Sequence, residues 1–238
     1  MPSSPVVDIF IRTYSKDIPW LAFALKSVHK YVTGYRNIII AIPTDQVGLL
    51  NHLTQEKVVG VYDLEDGYLG QQLTKMQAWK LTDADAIVFW DSDVVATEPI
   101  DVRSEYFKDG RIILYKTRYS SLGSACPWRP IVEKSMGKSV EWEYMRRMPI
   151  VHYRSTLERT ENYMVDLHKM SLDNYLSSQP HRSFSEFNTM GAVADASEGY
   201  LSIDTESINM PPCKVDQMWS WGGITEEVLA KLATYGLA

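Results

Sequence analysis

Asp91 and Asp93 close an apolar run, Ala86-Ile87-Val88-Phe89-Trp90, with Ser92 between them. A carboxylate is costly to bury alone, so a pair placed here belongs at the open end of a buried strand, where a cation can meet it. In extended backbone the side chains at i and i+2 share a side. That spacing predicts that Asp91 and Asp93 turn toward one hard divalent ion and the phosphates it carries, with Ser92 on the same ligand-facing edge. Taken alone, Asp-Ser-Asp is equally turn and helix-cap chemistry. Its position directly after a fully apolar strand is what points it at a ligand, because open α/β sheets bind at the carboxyl ends of their strands.

Other residues could do chemistry beside that pair. Arg12, Thr13 and Tyr14 follow a first apolar run, Arg12 suited to a phosphate and Tyr14 to stacking on a base. Asp63 ends a third run. In Gly67-Tyr68-Leu69-Gly70-Gln71-Gln72-Leu73-Thr74-Lys75, the residues Gln71, Gln72 and Lys75 fall in the first turns of a predicted helix, with Lys75 adding positive charge near an anion at its N-terminus. Glu186, between Phe184 and Phe187, is either an acid complementing a helix start or a general base in an apolar pocket. Trp221, in Trp219-Ser220-Trp221-Gly222-Gly223, sits in a mobile flap or in a turn between packed tryptophans.

The elements that must position these residues alternate in type through the first hundred residues. The pattern predicts strands at Val6 to Arg12, Asn37 to Pro43, Lys57 to Asp63 and Ala86 to Trp90. Between them it predicts a helix capped by Asp17 and stopped by Gly34, a short helix from Asp45 to Leu53, and a helix from about Gln71 to Thr82. That rhythm means a mostly parallel, doubly wound α/β sheet. After Pro99 it is lost. Arg111 to Tyr115 reads as one more strand and 117–154 as an irregular insertion or lid. A capping box at Ser155 to Glu158 opens a helix to about Lys169, and further helices start at Ser171 and near Ser185. Glu198 to Asp204 returns to the sheet, and Thr225 to Tyr235 is a terminal amphipathic helix stopped by Gly236. Without repeat or linker, 1–238 reads as a single domain.

Composition narrows the class. The chain has 238 residues, 45% hydrophobic and 23% charged, enough to bury a proper core. Met-Pro-Ser-Ser-Pro has no basic start, the run Val6 to Ile11 is short and broken by Asp8, and no apolar segment reaches membrane-spanning length. Cys126 and Cys213 lack any disulfide or zinc spacing, so both read as free thiols in a reducing, cytoplasmic setting. Net charge is −6, unevenly spread: ten basic residues meet fifteen acidic ones in 1–110, twelve meet seven in 111–182, and two meet eight in 183–238. The basic middle is either a solvated face or a meeting place for an anionic acceptor. The usual ATPase, dinucleotide, zinc-protease and serine-hydrolase motifs are missing, and the five histidines form no cluster.

Taken together, the first strand ending Ile-Arg-Thr-Tyr, the run Gly-Tyr-Leu-Gly-Gln-Gln-Leu-Thr-Lys-Met-Gln-Ala-Trp, the Asp-X-Asp of Asp91 and Asp93, and the Ser-Glu-Phe around Glu186 resemble a GT-A-fold, nucleotide-sugar glycosyltransferase. The resemblance spans most of 6–99 in order and a stretch near 183–191. It implies a GT-A-like, Rossmann-like fold and a Mn²⁺ or Mg²⁺ ion bridging the acidic pair to the diphosphate of a nucleoside-diphosphate sugar, with Asp93 the more direct ligand. It also implies that Arg12, Thr13, Tyr14, Asp63 and Lys75 line the donor nucleotide, with Gln71, Gln72, Ser92 and Trp221 in the same donor-facing set. The 1–110 half is then the nucleotide-sugar-binding half, and the 111–238 half, with Glu186, faces a hydroxyl acceptor, a saccharide or glycoconjugate. A hydroxymethylated DNA base stays open as acceptor, although the acidic net charge disfavours nucleic acid. One departure stands out: no histidine follows position 181, so the C-terminal metal-binding histidine of several GT-A families is absent. Two other functions remain open on the same residues, nucleotidyl transfer and a non-catalytic saccharide or nucleic-acid binding module.

Overall fold

The computed structural model describes residues 4–123 and 127–238. Met1 to Ser3, at the start read above for targeting, and Cys126 lie outside the described residues. In chain order the main elements are β1 (Val7–Arg12), α1 (Ile18–Tyr31), β2 (Ile38–Pro43), β3 (Lys57–Val61), α2 (Gly67–Met76), β4 (Ala86–Phe89), β5 (Val94–Ala96) and β6 (Arg111–Arg118). There follow α3 (Arg129–Met136), β7 (Ile150–Tyr153), α4 (Arg154–His168), α5 (Leu172–Ser177), α6 (Glu186–Ala194), β8 (Tyr200–Asp204), β9 (Val215–Gln217) and α7 (Glu226–Thr234).

The central sheet has the order β7-β4-β1-β2-β3; four strands are parallel and β7 runs antiparallel to β4. This is an α/β architecture with a mixed, mostly parallel sheet flanked by helices, compatible with a Rossmann-like fold. Both faces of β1, β2 and β4 are covered, which is why they read as nearly continuous apolar runs, whereas the edge strand β3 is half-exposed. Val7, Ile9, Ile11, Ile38 and Ile40 pack with Leu21, Leu25 and Val28 of α1. Phe10, Ile39 and Phe89 pack on the other side with Leu69, Leu73 and Met76 of α2, Leu157 of α4 and Phe187 of α6. One acid interrupts β1 inside this core. Asp8 is buried and satisfied by Arg36, at 2.8 and 3.0 Å, and by the Thr82 hydroxyl at 2.5 Å.

From β1 the chain steps outward to β2 and β3, then returns to put β4 on the opposite side of β1. Strand order therefore reverses between β1 and β4, and a crevice opens over their carboxyl ends. Arg12 and Thr13 leave β1 there, and Asp91 leaves β4.

Several expectations are corrected by pairing partners distant in sequence. The segment 117–154 is not merely irregular: it contains α3 and supplies β7, the fifth central strand. The strand expected at Arg111 to Tyr115 is longer and belongs to a second sheet, where β6 pairs in parallel with β8, so Tyr200–Asp204 does not return to the central one. The helix from Asp45 is a 3₁₀ helix, Thr44–Leu50. No capping box forms at Ser155, because α4 starts one residue earlier behind Tyr153, and Thr156 is buried as the acceptor of the Tyr200 hydroxyl. The helix at Ser171 and the terminal helix do carry their caps, Ser171 to Asn174 N and Thr225 to Val228 N. Among the described residues no helix is long and apolar enough to cross a membrane.

Candidate functional site

A cavity of about 640 Å³ lies over the crevice between β1 and β4. Arg12, Thr13, Tyr14, Asp63, Gln71, Gln72, Lys75, Asp91, Ser92, Asp93, Glu186 and Trp221, the residues singled out from the sequence, all line it. Asp17, Tyr68, Arg182, Trp219 and Ser220 line it as well and were not read as site residues.

The inner wall comes from β1 and α2. Arg12 Nη2 donates to Asp63 Oδ2 at 2.8 Å, its Nη1 donates to the Thr13 carbonyl, and Thr13 N bonds Ala41 O of β2. Burial lowers the Arg12 pKa, and the Asp63 charge opposes that. Asp63 is crowded from behind by Gly70 of α2, where a side chain would collide with its carboxylate. Arg12 Nε, Thr13 Oγ1 and Gln72 Oε1 are buried without a hydrogen-bond partner among the described residues. An unmade buried hydrogen bond costs about 1–3 kcal/mol, so a wall carrying three of them is suited to a polar ligand.

Helix α2 departs from its expected start. It begins at Gly67, four residues before Gln71, and Asp66 caps it by accepting from Tyr68 N and Leu69 N at 2.9 and 3.3 Å. Those amides are occupied, so the expected anion-binding helix N-terminus is corrected: Lys75 sits in the last turn. Its ammonium is buried, 2.8 Å from Asp91 Oδ1 and 3.3 Å from Glu186 Oε1, and 4.7 Å from the centre of the Phe187 ring. Burial alone would lower the Lys75 pKa; the charges of Asp91 and Glu186 outweigh it, so the pKa is raised and the ammonium persists. One cation serves two carboxylates there. Glu186, the more buried, is left under-compensated, and burial raises its pKa despite Lys75.

Asp91 and Asp93 do not lie in extended backbone. Val94 N bonds Asp91 O at 3.1 Å, closing a turn that sends the two carboxylates to different partners. Asp91 meets Lys75, whereas Asp93 Oδ2 accepts from Ser220 N at 2.9 Å. The expectation that both point the same way from a strand is corrected by that turn, although both still line the cavity.

Strand β9 pairs antiparallel with β5 and so delivers the segment that follows it to Asp93, where Met218 N also bonds Asp93 O at 2.8 Å. The hydroxyls of Ser92 and Ser220 bond Asp17. Asp17 thus makes no side-chain cap for α1, contrary to expectation, and turns into the acidic group instead. Burial and then the Asp93 charge raise its pKa; burial likewise raises that of Asp93, with Asp91 adding to it. The tryptophans beside Ser220 are not packed. Trp219 is 55% and Trp221 85% exposed at the cavity mouth.

Asp17, Asp91 and Asp93 are hard oxygen donors whose mutual repulsion a cation would relieve. Among the described residues, no three His, Cys, Asp or Glu side chains are grouped to enclose a metal by themselves. An ion of the Mg²⁺ type needs only one or two protein carboxylates and completes its shell with phosphate oxygens and water. Of the signals for the site residues not read from the sequence, Asp17 was hidden by its good cap chemistry and Ser220 by its flexible-looking neighbours. Neither a protein-family model nor a curated protein sequence matches this chain.

Proposed function

We propose that this chain is a metal-dependent, GT-A-like glycosyltransferase that moves a sugar from a nucleoside-diphosphate sugar to a hydroxyl acceptor, a saccharide or glycoconjugate. The observation that carries the reading is the convergence of Asp91, Asp93, Lys75 and Glu186 in one cavity at the switch point of the sheet. Arg12, Thr13, Asp63 and Gln72 hold the nucleoside by polar contacts, with Tyr14 and Trp221 as exposed aromatic surfaces beside it. Asp91 and Asp93 would hold Mn²⁺ or Mg²⁺, which would supply Lewis-acid stabilisation of the departing diphosphate.

Glu186 accepts the proton of the acceptor hydroxyl. The freed oxygen forms its bond to the anomeric carbon as the bond from that carbon to the phosphate oxygen breaks, and the electron pair leaves with the nucleoside diphosphate. A carboxylate with a raised pKa is a stronger base than an exposed one, and Lys75 keeps it ionised until it takes the proton.

The test is a screen of sugar nucleotides with and without Mn²⁺, for turnover and for thermal stabilisation, repeated with Asp93→Asn. A ligand at a hundred times its Kd adds about 2.7 kcal/mol, a rise of roughly 5–10 °C at this size. The expected result is a metal-dependent rise with a uridine or guanosine diphosphate sugar, lost in the variant, and release of nucleoside diphosphate. Release of pyrophosphate would instead mean nucleotidyl transfer. Binding unaltered by chelator and by the substitution, with no turnover, would reduce the chain to a binding module.

A further inference from the structure

Among the described residues, the cationic side chains lining the cavity are Arg12, Lys75 and Arg182. Two of them are neutralised: Arg12 by Asp63, and Lys75 by Asp91 and Glu186. Arg182 makes no ion pair among the described residues, and its guanidinium carbon lies 5.9 Å from the centre of the Tyr68 ring. Its side chain is exposed, and its backbone is held in a turn. Ser183 N bonds Pro180 O at 3.0 Å, closing a turn in which Arg182 has φ +61°, a conformation that favours glycine. Next to it, His181 Nδ1 is 2.9 Å from Asp66 Oδ2, which ties the turn to the start of α2.

An exposed arginine with no carboxylate partner among the described residues, its backbone fixed in a turn at the cavity edge, offers an uncompensated charge to an anion. Which anion follows from its neighbours. The turn runs within four residues into Glu186 at the start of α6, and the Tyr68 ring beside Arg182 lines the same cavity as Glu186. Whatever Arg182 binds is therefore held near the base rather than at the acidic group. Resting on the transferase reading, we propose that Arg182 binds a phosphate or carboxylate on the acceptor, so that the acceptor is an acidic saccharide or glycoconjugate and not a neutral one.

The experiment is calorimetry of hexose 6-phosphate and of the uncharged hexose on the full chain, comparing wild type with Arg182→Gly and Arg182→Lys. Glycine relieves the positive φ, so Arg182→Gly folds. Hexose 6-phosphate is expected to bind the glycine variant roughly ten- to a hundredfold more weakly, with the neutral hexose unchanged. Lysine should restore only part, since it lacks the planar fork. Uridine diphosphate with Mn²⁺ should bind wild type and the glycine variant alike. Equal binding of hexose 6-phosphate by wild type and Arg182→Gly, or a loss confined to uridine diphosphate, overturns the assignment; the latter would give the anion to the donor. Arg182-dependent binding of hexose 6-phosphate, with no sugar transfer from any donor, upholds the anion site and sinks the transferase reading alone.

Discussion

The ammonium of Lys75 lies 2.8 Å from Asp91 Oδ1, so the first acid of the Asp-Ser-Asp turn enters the cavity already paired, while Asp93 Oδ2 accepts from the neutral Ser220 amide. Lys75 comes from α2, Asp91 from the end of β4, and the second partner, Glu186, from α6. Three elements that carry the proposed chemistry are thereby pinned by one cation.

Replacing Lys75 by Met strands two largely buried carboxylates. Breaking such a group by removing one partner costs about 3–5 kcal/mol. Urea denaturation at pH 7 should show that loss, and the gap to wild type should narrow toward pH 5 as Glu186, whose pKa burial already raises, takes up a proton. A variant as stable as wild type at pH 7 would contradict the pairing.

Asp93→Asn should keep the bond from Ser220 N, because an amide oxygen accepts as well. A carboxylate whose folded pKa is raised costs stability as pH rises through that pKa, and burial and Asp91 raise that of Asp93. The variant is therefore expected to melt at or above the wild-type temperature at neutral pH while losing metal-dependent stabilisation by sugar nucleotide. Thermal melts in chelator check the first part. A fall of more than about 2 kcal/mol would show that the acid is structural, since such losses come from broken buried networks.

Gly70→Ala tests the nucleoside wall. The added Cβ would stand 1.8 Å from Asp63 Oδ1 and 3.0 Å from Leu64 N, so Asp63 must swing away from Arg12. Overpacking of this kind costs about 1–3 kcal/mol. Nucleotide affinity should fall with it, and titration calorimetry showing undiminished affinity would remove the Arg12–Asp63 pair from the site.

His152 sets the acid limit. It is fully buried in β7 between Phe89 and Tyr200, and burial pushes its pKa down to about 3. The unfolded chain binds a proton on this ring near pH 6.5 and the folded chain does not. Stability from this group is therefore complete above pH 6.5 and declines as pH falls toward 3, by on the order of 4 kcal/mol at the lower end. His152→Phe should flatten that part of the stability–pH curve; an unchanged slope from pH 6.5 to 4 would remove His152 as its source.

Much of the site was legible because its signals are local. An apolar run closed by polar residues marks a buried strand and its carboxyl end, and three such ends put Arg12, Asp63 and Asp91 on one edge. The parallel order then gathers them. Asp17 was not legible: an aspartate before a helix is usually a cap, and only Ser92 and Ser220, which lie far apart in the chain, make it otherwise. Nor was β7, whose short apolar run around His152 carries no mark of the strand it will pair with.

Sequence alone determined the buried runs of β1, β2 and β4 and the apolar period of α1, because burial on both faces of a strand or one face of a helix leaves a pattern among neighbours a few positions away. Tertiary structure alone decided the charge pairing. Lys75 and Glu186 are 111 residues apart, and no local pattern states that one ammonium will stand between Glu186 and Asp91, or that Arg182 will find no such partner among the described residues. Electrostatic partners are chosen by distance in space, and that distance exists only after the sheet has assembled.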